Sequence, residues 1–186
     1  MGNRIKPRNI LLLVMTAGLI GCMVFGCAWR TVCGSWASTG LIASAMVVYH
    51  MFIRFFAPVV LWVFFRKIYD YRWKWFQPRP WESRLYRLLR VKRWKGRAIT
   101  YDPREFSLRL HSLEEIVNNM CHAEAVHELT ALFSLASAFF AIPLGGAAAF
   151  CTTALLAASV DLACVAIQRY NRPRLVKILE RKSEAR

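Results

Sequence analysis

Three long stretches of the chain contain almost no charge, and they constrain the fold more than any other feature. Residues 10–29 carry no charged side chain, residues 40–65 carry only Arg54, and residues 129–167 carry only Asp161. A helix of about 20 apolar residues crosses a hydrocarbon core of roughly 30 Å, so each stretch is long enough to span a bilayer. The pattern excludes a disordered chain and predicts a protein that lies in a membrane.

We therefore expect an all-α, multi-pass membrane protein that forms one domain over residues 1–186. The third stretch is about twice the length of one span and carries Pro143 and two glycines near its middle, so it should fold as a helical hairpin. The first span resembles a signal peptide, but its apolar sequence continues well past the possible cleavage site at Cys22, which favours a retained helix. The expected spans are residues 10–29, 40–65, 124–142 and 145–167, with a loop at 66–118 and a tail at 168–186.

The positive charges predict how the spans are oriented. The chain has 26 lysines and arginines against 11 acidic residues, for a formal net charge of +15. Of these cations, 24 lie in residues 1–9, 66–118 and 168–186. Since Lys and Arg accumulate in loops that stay in the cytoplasm, we expect both termini and the large loop to be cytoplasmic.

Tryptophans alternate with lysines and arginines in the loop 66–118. Such a pattern suits either nucleic-acid binding or contact with lipid headgroups. Trp81, Leu85 and Leu88 follow the spacing i, i+4, i+7, which places one apolar stripe on an otherwise cationic helix. In a chain already held in the membrane we favour an interfacial amphipathic helix, and we expect no nucleic acid among the partners.

Ionisable residues at the third and fourth spans are the candidates for chemistry, because burying such groups in a membrane is costly. Glu124 and His127 are three residues apart and share a helix face. Counting outward from a turn near Leu144 places Asp161 at the same depth as His127 on the antiparallel helix. An acid–imidazole cluster suits a general base that takes a proton from an alcohol. A purely structural polar contact between helices is the alternative.

Other kinds of site fit the sequence less well. Glu124-x-x-His127 is half of a di-iron motif, but the sequence has no second copy, and the six cysteines form no CxxC pair. We therefore expect no metal site and no cofactor. Phosphate-binding glycine loops and nucleophile elbows are also absent from the sequence, which argues against a covalent acyl-enzyme. His50 and Arg54 share a face of the second span, and their role stays open.

Three segments occur in an order and spacing typical of one family. They are Arg93-Trp94-Lys95, Ala123 to His127, and Gln168-Arg-Tyr-Asn-Arg-Pro-Arg-Leu175. Together they resemble the glycosyl-4,4'-diaponeurosporenoate acyltransferases of bacterial carotenoid synthesis, over roughly residues 66–180. The family usually shows Arg, Trp and Asn where this chain has His122, Glu128 and Asp161.

The resemblance implies an acyltransferase of the bacterial plasma membrane that moves a fatty acyl group to a sugar hydroxyl of a glycosylated carotenoid acid or similar glycolipid, as in the synthesis of staphyloxanthin-type pigments. We expect His127 to be the general base, with Glu124 and Asp161 orienting it. The implied donor is acyl-CoA, an acyl carrier protein or a phospholipid. A non-catalytic scaffold for pigment or lipid enzymes is the alternative function. The expected substrate-binding residues are Gln168, Arg169, Asn171, Arg172 and Arg174, with Arg93 and Lys95.

Overall fold

The structure is a computed structural model that describes residues 7–32, 34–65, 69–97 and 106–185. Within these ranges the regular elements are helical, which confirms the predicted all-α class. The basic residues Arg4 and Lys6, and residues 66–68 and 98–105 of the predicted loop, lie outside the described part. The helices are α1 (Pro7–Val32), α2 (Ser35–Phe65), α3 (Glu82–Leu88), α4 (Val91–Trp94), α5 (Leu113–Ala136), α6 (Ala141–Leu144) and α7 (Ala147–Glu184).

Over the described ranges, four helical segments are long and apolar enough to cross a membrane, as the sequence predicts. They are Asn9–Thr31, Ser35–Phe65, Leu113–Leu144 and Ala147–Glu184. The last two are longer than expected, because the third begins at Leu113 instead of residue 124 and the fourth continues beyond residue 167. The expected tail is therefore helical over most of its length, which suits its many Leu, Lys, Arg and Glu residues.

A capping box explains why α5 begins before its apolar part. The backbone N–H of Ser112 donates to Glu115 Oε2 at 2.7 Å, and the backbone N–H of Glu115 donates to Ser112 Oγ at 3.2 Å. These reciprocal bonds satisfy donors that the first turn of a helix leaves without partners. At the other end of the hairpin, Gly145 and Gly146 adopt φ values of 68° and 66°, which glycine reaches without steric cost.

The chain divides into two compact units, Met1–Val59 with Leu129–Val160 and Val60–Glu128 with Asp161–Arg186. In the first unit, α1 lies so close to α2 that a Cβ on Gly21 would stand 2.5 Å from the hydroxyl oxygen of Ser44. Polar contacts join α2 to its neighbours in the same unit. Arg54 donates to the backbone carbonyls of His50 and Ala157, and the buried His50 Nδ1 lies 3.3 Å from Ser134 Oγ. His50 and Arg54 thus link helices within this unit.

The second unit packs the Trp-rich segment, residues 69–97, against α5 and α7. At α3, the two ends of the apolar stripe face outward, since Trp81, directly before the helix, is 53% and Leu88 is 79% exposed, while Leu85 between them is half-buried and Glu82 and Tyr86 are buried. The stripe therefore remains available for lipid, as an interfacial helix requires. The apolar core of the unit consists of Tyr69, Tyr71, Phe76, Val117 and Cys121, with Ala125, Leu175, Val176 and Leu179 packed against it.

Candidate active site

His127 of α5 and Asp161 of α7 form a hydrogen-bonded pair within the second unit, which we call the dyad. The distance from His127 Nδ1 to Asp161 Oδ1 is 3.0 Å. The side chain of Asp161 is 1% exposed, whereas that of His127 is 32% exposed. A carboxylate beside Nδ1 favours the tautomer that carries the proton there, which leaves the lone pair on Nε2. The dyad therefore has the arrangement of an oriented base that a substrate can reach.

Glu124 is fully buried and contacts two arginines of α7. Its Oε2 accepts a hydrogen bond from Arg172 Nη1, and its Oε1 lies 2.8 Å from Arg169 Nε. A second buried carboxylate, that of Glu82, lies 2.5 Å from Arg169 Nη1. We call Glu82, Glu124, Arg169 and Arg172 the ion-pair cluster. Both oxygens of Glu124 are directed at guanidinium groups. From the sequence we expect Glu124 to orient His127, but in the structure its carboxylate contacts Arg169 and Arg172 instead.

The two arginines of the ion-pair cluster also hold the Trp-rich segment in place. Arg169 Nη2 donates to the backbone carbonyl of Trp75 at 2.7 Å, and Arg172 Nη2 donates to that of Phe76. Both arginines are buried, and the guanidinium carbon of Arg172 lies 5.3 Å from the centre of the Phe76 ring. Although the family motif suggests that these arginines bind substrate, their partners are carboxylates and backbone carbonyls of the protein itself.

Glu82 is a member of the cluster that sequence reasoning did not single out. It is the only acidic residue between positions 71 and 101. A single carboxylate among so many cations is the sequence feature that could have indicated an ion pair at Glu82. Its Oε2 accepts a hydrogen bond from the hydroxyl of Tyr86 at 3.3 Å. Burial, together with this carboxylate, raises the pKa of the Tyr86 phenol far above its ordinary value, so the hydroxyl stays protonated as a donor.

A cavity of about 470 Å³ lies in the same unit, between the Trp-rich segment, α5 and α7. This volume falls in the range of small-molecule sites, roughly 300–1,000 Å³. The lining combines cations, side-chain amides and apolar side chains, and it includes four of the seven residues expected to bind substrate. We call it the pocket. Its lining residues are Lys95, Phe106, Ile116, Met120, Ile167, Gln168, Asn171, Arg174 and Leu175.

The cations of the pocket are held in place by Tyr170. Lys95 Nζ lies 4.9 Å from the centre of the Tyr170 ring and donates to Asn171 Oδ1 at 2.6 Å. The guanidinium carbon of Arg174 lies 4.1 Å from the same ring centre. Two cations against one aromatic ring form a site that suits an anionic group. Arg93, also expected to bind substrate, is exposed on α4 and does not belong to the described lining of the pocket.

The dyad and the pocket lie at different levels of the same two helices. Met120 precedes His127 by seven residues on α5, and Gln168 follows Asp161 by seven residues on α7. At 1.5 Å per residue the two levels differ by about 10 Å on either helix. Glu124 occupies the level between them.

The family profile described as CrtO, glycosyl-4,4'-diaponeurosporenoate acyltransferase, matches residues 72–181. This range covers more than half of the chain and contains the dyad, the ion-pair cluster and the pocket. Neither the curated proteins nor the solved structures give a match to the chain.

Proposed function

Because this chain belongs to the glycosyl-4,4'-diaponeurosporenoate acyltransferase family, which makes it a membrane acyltransferase of carotenoid synthesis, we propose that it esterifies a sugar hydroxyl of a glycosylated carotenoid acid or a similar glycolipid with a fatty acyl group. The acceptor class follows from the name of the family. Both the acceptor and the acyl chain are lipophilic, which suits an enzyme with four apolar helices.

The dyad is the observation that carries this proposal. With its Nδ1 proton directed at Asp161, His127 takes the sugar hydroxyl proton on Nε2 while the hydroxyl oxygen attacks the acyl carbonyl carbon. The new C–O bond forms, the bond between the acyl carbon and the leaving group breaks, and the proton passes from the imidazolium to the leaving group. The carboxylate of Asp161 stabilises the positive charge of the imidazolium during this step.

Apart from Arg93, the other expected site residues divide into two roles in this proposal. Lys95 and Arg174 bind an anionic part of the acyl donor in the pocket, where the amides of Gln168 and Asn171 add hydrogen-bonding groups. Arg169 and Arg172 act with Glu124 as positioning residues, which hold the Trp-rich segment against α5 and α7.

The proposal is tested by incubating membranes that contain the protein with a glycosylated carotenoid acid and one acyl donor at a time. We expect mass spectrometry to detect an acceptor that is heavier by one acyl ester, formed only where the protein is present. Folded protein that yields no ester with acyl-CoA, acyl carrier protein or phospholipid would contradict the proposal.

Replacing Asp161 by alanine is expected to lower kcat by about tenfold to a hundredfold, because a hydrogen bond to a charged group is worth about 1.5–3 kcal/mol. The KM for the donor should stay the same, since the pocket is not altered. Asp161→Asn keeps an oxygen that accepts from Nδ1–H and should retain most of the activity. Steady-state kinetics of both variants check this expectation, and equal kcat values for the alanine variant and the wild type would exclude a role for the dyad.

We also propose that both termini and the loop 66–118 face the cytoplasm of a bacterial cell, because 24 of the 26 cations lie in residues 1–9, 66–118 and 168–186. A fluorescent protein fused after Arg186 should then fold and fluoresce, whereas a periplasmic phosphatase fused at the same position should be inactive. The opposite pair of results would place this end of the chain outside the cytoplasm.

A further inference from the structure

The pocket contains a cationic site whose position indicates what kind of donor the enzyme uses. Lys95 and Arg174 both contact the ring of Tyr170, and Lys95 also binds the side chain of Asn171. Two cations that share one ring and line an open cavity favour a compact anion such as a phosphate. We call Lys95 and Arg174 the cationic site. Because both cations contact Tyr170 and one also binds Asn171, the site lies along α7 at the level of these two residues.

The separation between the cationic site and the dyad follows from the helix itself. Tyr170 and Asn171 follow Asp161 by nine and ten residues on α7. At 1.5 Å per residue, the levels differ by about 13–15 Å. Side chains on α7 lean in a common direction, toward its N-terminus, and His127 Nδ1 lies 3.0 Å from Asp161 Oδ1, so the axial offset between the dyad and the cationic site stays comparable. The phosphate and the reacting carbonyl of the donor must therefore be about this far apart.

Two classes of donor differ greatly in the distance from the phosphorus atom to the acyl carbon. An extended chain covers about 1.1–1.2 Å per bond, since a three-bond residue covers about 3.3–3.6 Å. A phosphopantetheine thioester has about 14 bonds from phosphorus to the acyl carbon, which gives a reach of roughly 16 Å at that rate. A phosphoglyceride has about five or six such bonds and reaches only about 6–7 Å.

From this geometry we propose that the acyl donor is a phosphopantetheine thioester whose phosphate binds Lys95 and Arg174. The inference rests on the proposed function, because it names the donor for the same site. Gln168 lies at a level between the cationic site and the dyad, lines the same cavity and carries an amide that suits the amides of the pantetheine arm. Met120 and Ile167 also line the cavity at about this level and suit the methyl and methylene groups of the arm.

The reaction balances with this donor without any further reactant. The thioester carbon loses its bond to sulfur and gains a bond to the sugar oxygen. The hydroxyl proton passes through His127 to the sulfur, so the products are the sugar ester and a free thiol on the phosphopantetheine arm. Coenzyme A and acyl carrier protein both present this arm.

Binding of 4'-phosphopantetheine and of pantetheine to the full-length protein in lipid nanodiscs tests the phosphate site. We expect the wild type to bind the phosphorylated compound at least tenfold more tightly. Arg174→Ala should weaken binding of phosphopantetheine by about tenfold to a hundredfold and leave pantetheine binding unchanged. The matched control is Arg181→Ala, an exposed arginine of the same helix, which should bind like the wild type. Lys95→Gln provides a second variant with the same expected loss.

Equal binding of the two compounds by the wild type would overturn the inference, and so would acyl transfer from a phospholipid but from neither thioester. Transfer from acyl-CoA or from acyl carrier protein would each support it, and the comparison identifies which carrier the enzyme uses. His127→Ala should still bind phosphopantetheine. A wild type that binds phosphopantetheine and pantetheine equally therefore rejects the donor, whereas a His127→Ala variant with the activity of the wild type rejects the proposed catalytic function.

Discussion

Replacing His127 by alanine is expected to lower the rate of acyl transfer by about 10²–10⁴-fold, the usual contribution of a general base. The variant loses the group that accepts the hydroxyl proton, while Asp161 keeps its place on α7. The measurement is the rate of ester formation per amount of folded protein in membranes. The rate is compared per amount of folded protein because the variant also takes the imidazole away from the buried carboxylate of Asp161, which can lower the abundance of the protein.

The matched control for this variant is His111→Ala. His111 lies on the same polypeptide before α5, pairs with Glu115 at 3.8 Å and has a similarly exposed side chain. It should behave like the wild type. If His127→Ala forms ester at the rate of the wild type, the catalytic role of His127 is wrong, and the non-catalytic scaffold becomes the better explanation of the dyad.

Cys164 provides a further distinction between two mechanisms. Its side chain lies beside the imidazole of His127, three residues after Asp161 on α7. If His127 activates the sugar hydroxyl directly, Cys164→Ala should keep the rate within a few fold of the wild type. A rate as low as that of His127→Ala, together with an acylated cysteine detected by mass spectrometry of the wild type, would instead indicate that the thiol carries the acyl group.

Replacing Glu124 by alanine is expected to destabilise the protein by about 3–5 kcal/mol, because removal of one partner from a buried ion pair leaves uncompensated charge. Here one fully buried carboxylate faces two buried guanidinium groups. The same variant should loosen the Trp-rich segment, since Arg169 and Arg172 also bind the backbone carbonyls of Trp75 and Phe76. Unfolding by dodecyl sulfate in mixed micelles measures the change in the free energy of unfolding.

Glu114→Ala is the control for Glu124→Ala, because Glu114 lies on the same helix and is exposed. Its effect should stay within about 0.5 kcal/mol of the wild type. Glu124→Gln keeps the size of the side chain and removes its charge, so it should also destabilise the protein while the remaining folded molecules keep their kcat. A Glu124→Gln protein of normal stability and strongly reduced kcat would show instead that Glu124 orients the base.

The membrane spans and the hairpin were predictable because they depend on local properties of the chain. Stretches of 20 or more apolar residues have few ways to satisfy their backbone in lipid other than a helix. The break at Pro143 to Gly146 is visible in the sequence, and the turn forms at Gly145 and Gly146. The ends of α5 and α7 were less predictable, since polar sequence continues a helix as readily as it forms a loop.

The partners of the site residues were only partly predictable. Equal depth on two antiparallel helices follows from counting, and the structure brings His127 and Asp161 within 3.0 Å. The partners of Glu124 depend on the rotation of α7 about its axis and on the path of the Trp-rich segment. Neither quantity follows from the spacing of residues along one helix.

By itself, the sequence determined that this chain has four membrane-length helices, the family to which it belongs, and the set of polar residues available for chemistry. These properties depend on composition and on the order of residues, which the unfolded chain already has. Only the tertiary structure decided that Asp161 pairs with His127 while Glu124 pairs with Arg169 and Arg172, and that Lys95 and Arg174 meet on Tyr170 at one cavity. Apart from the contact of Arg174 with Tyr170, these contacts join residues that are 34 to 75 positions apart, and packing of side chains in three dimensions selects among the many pairings that charge alone would permit.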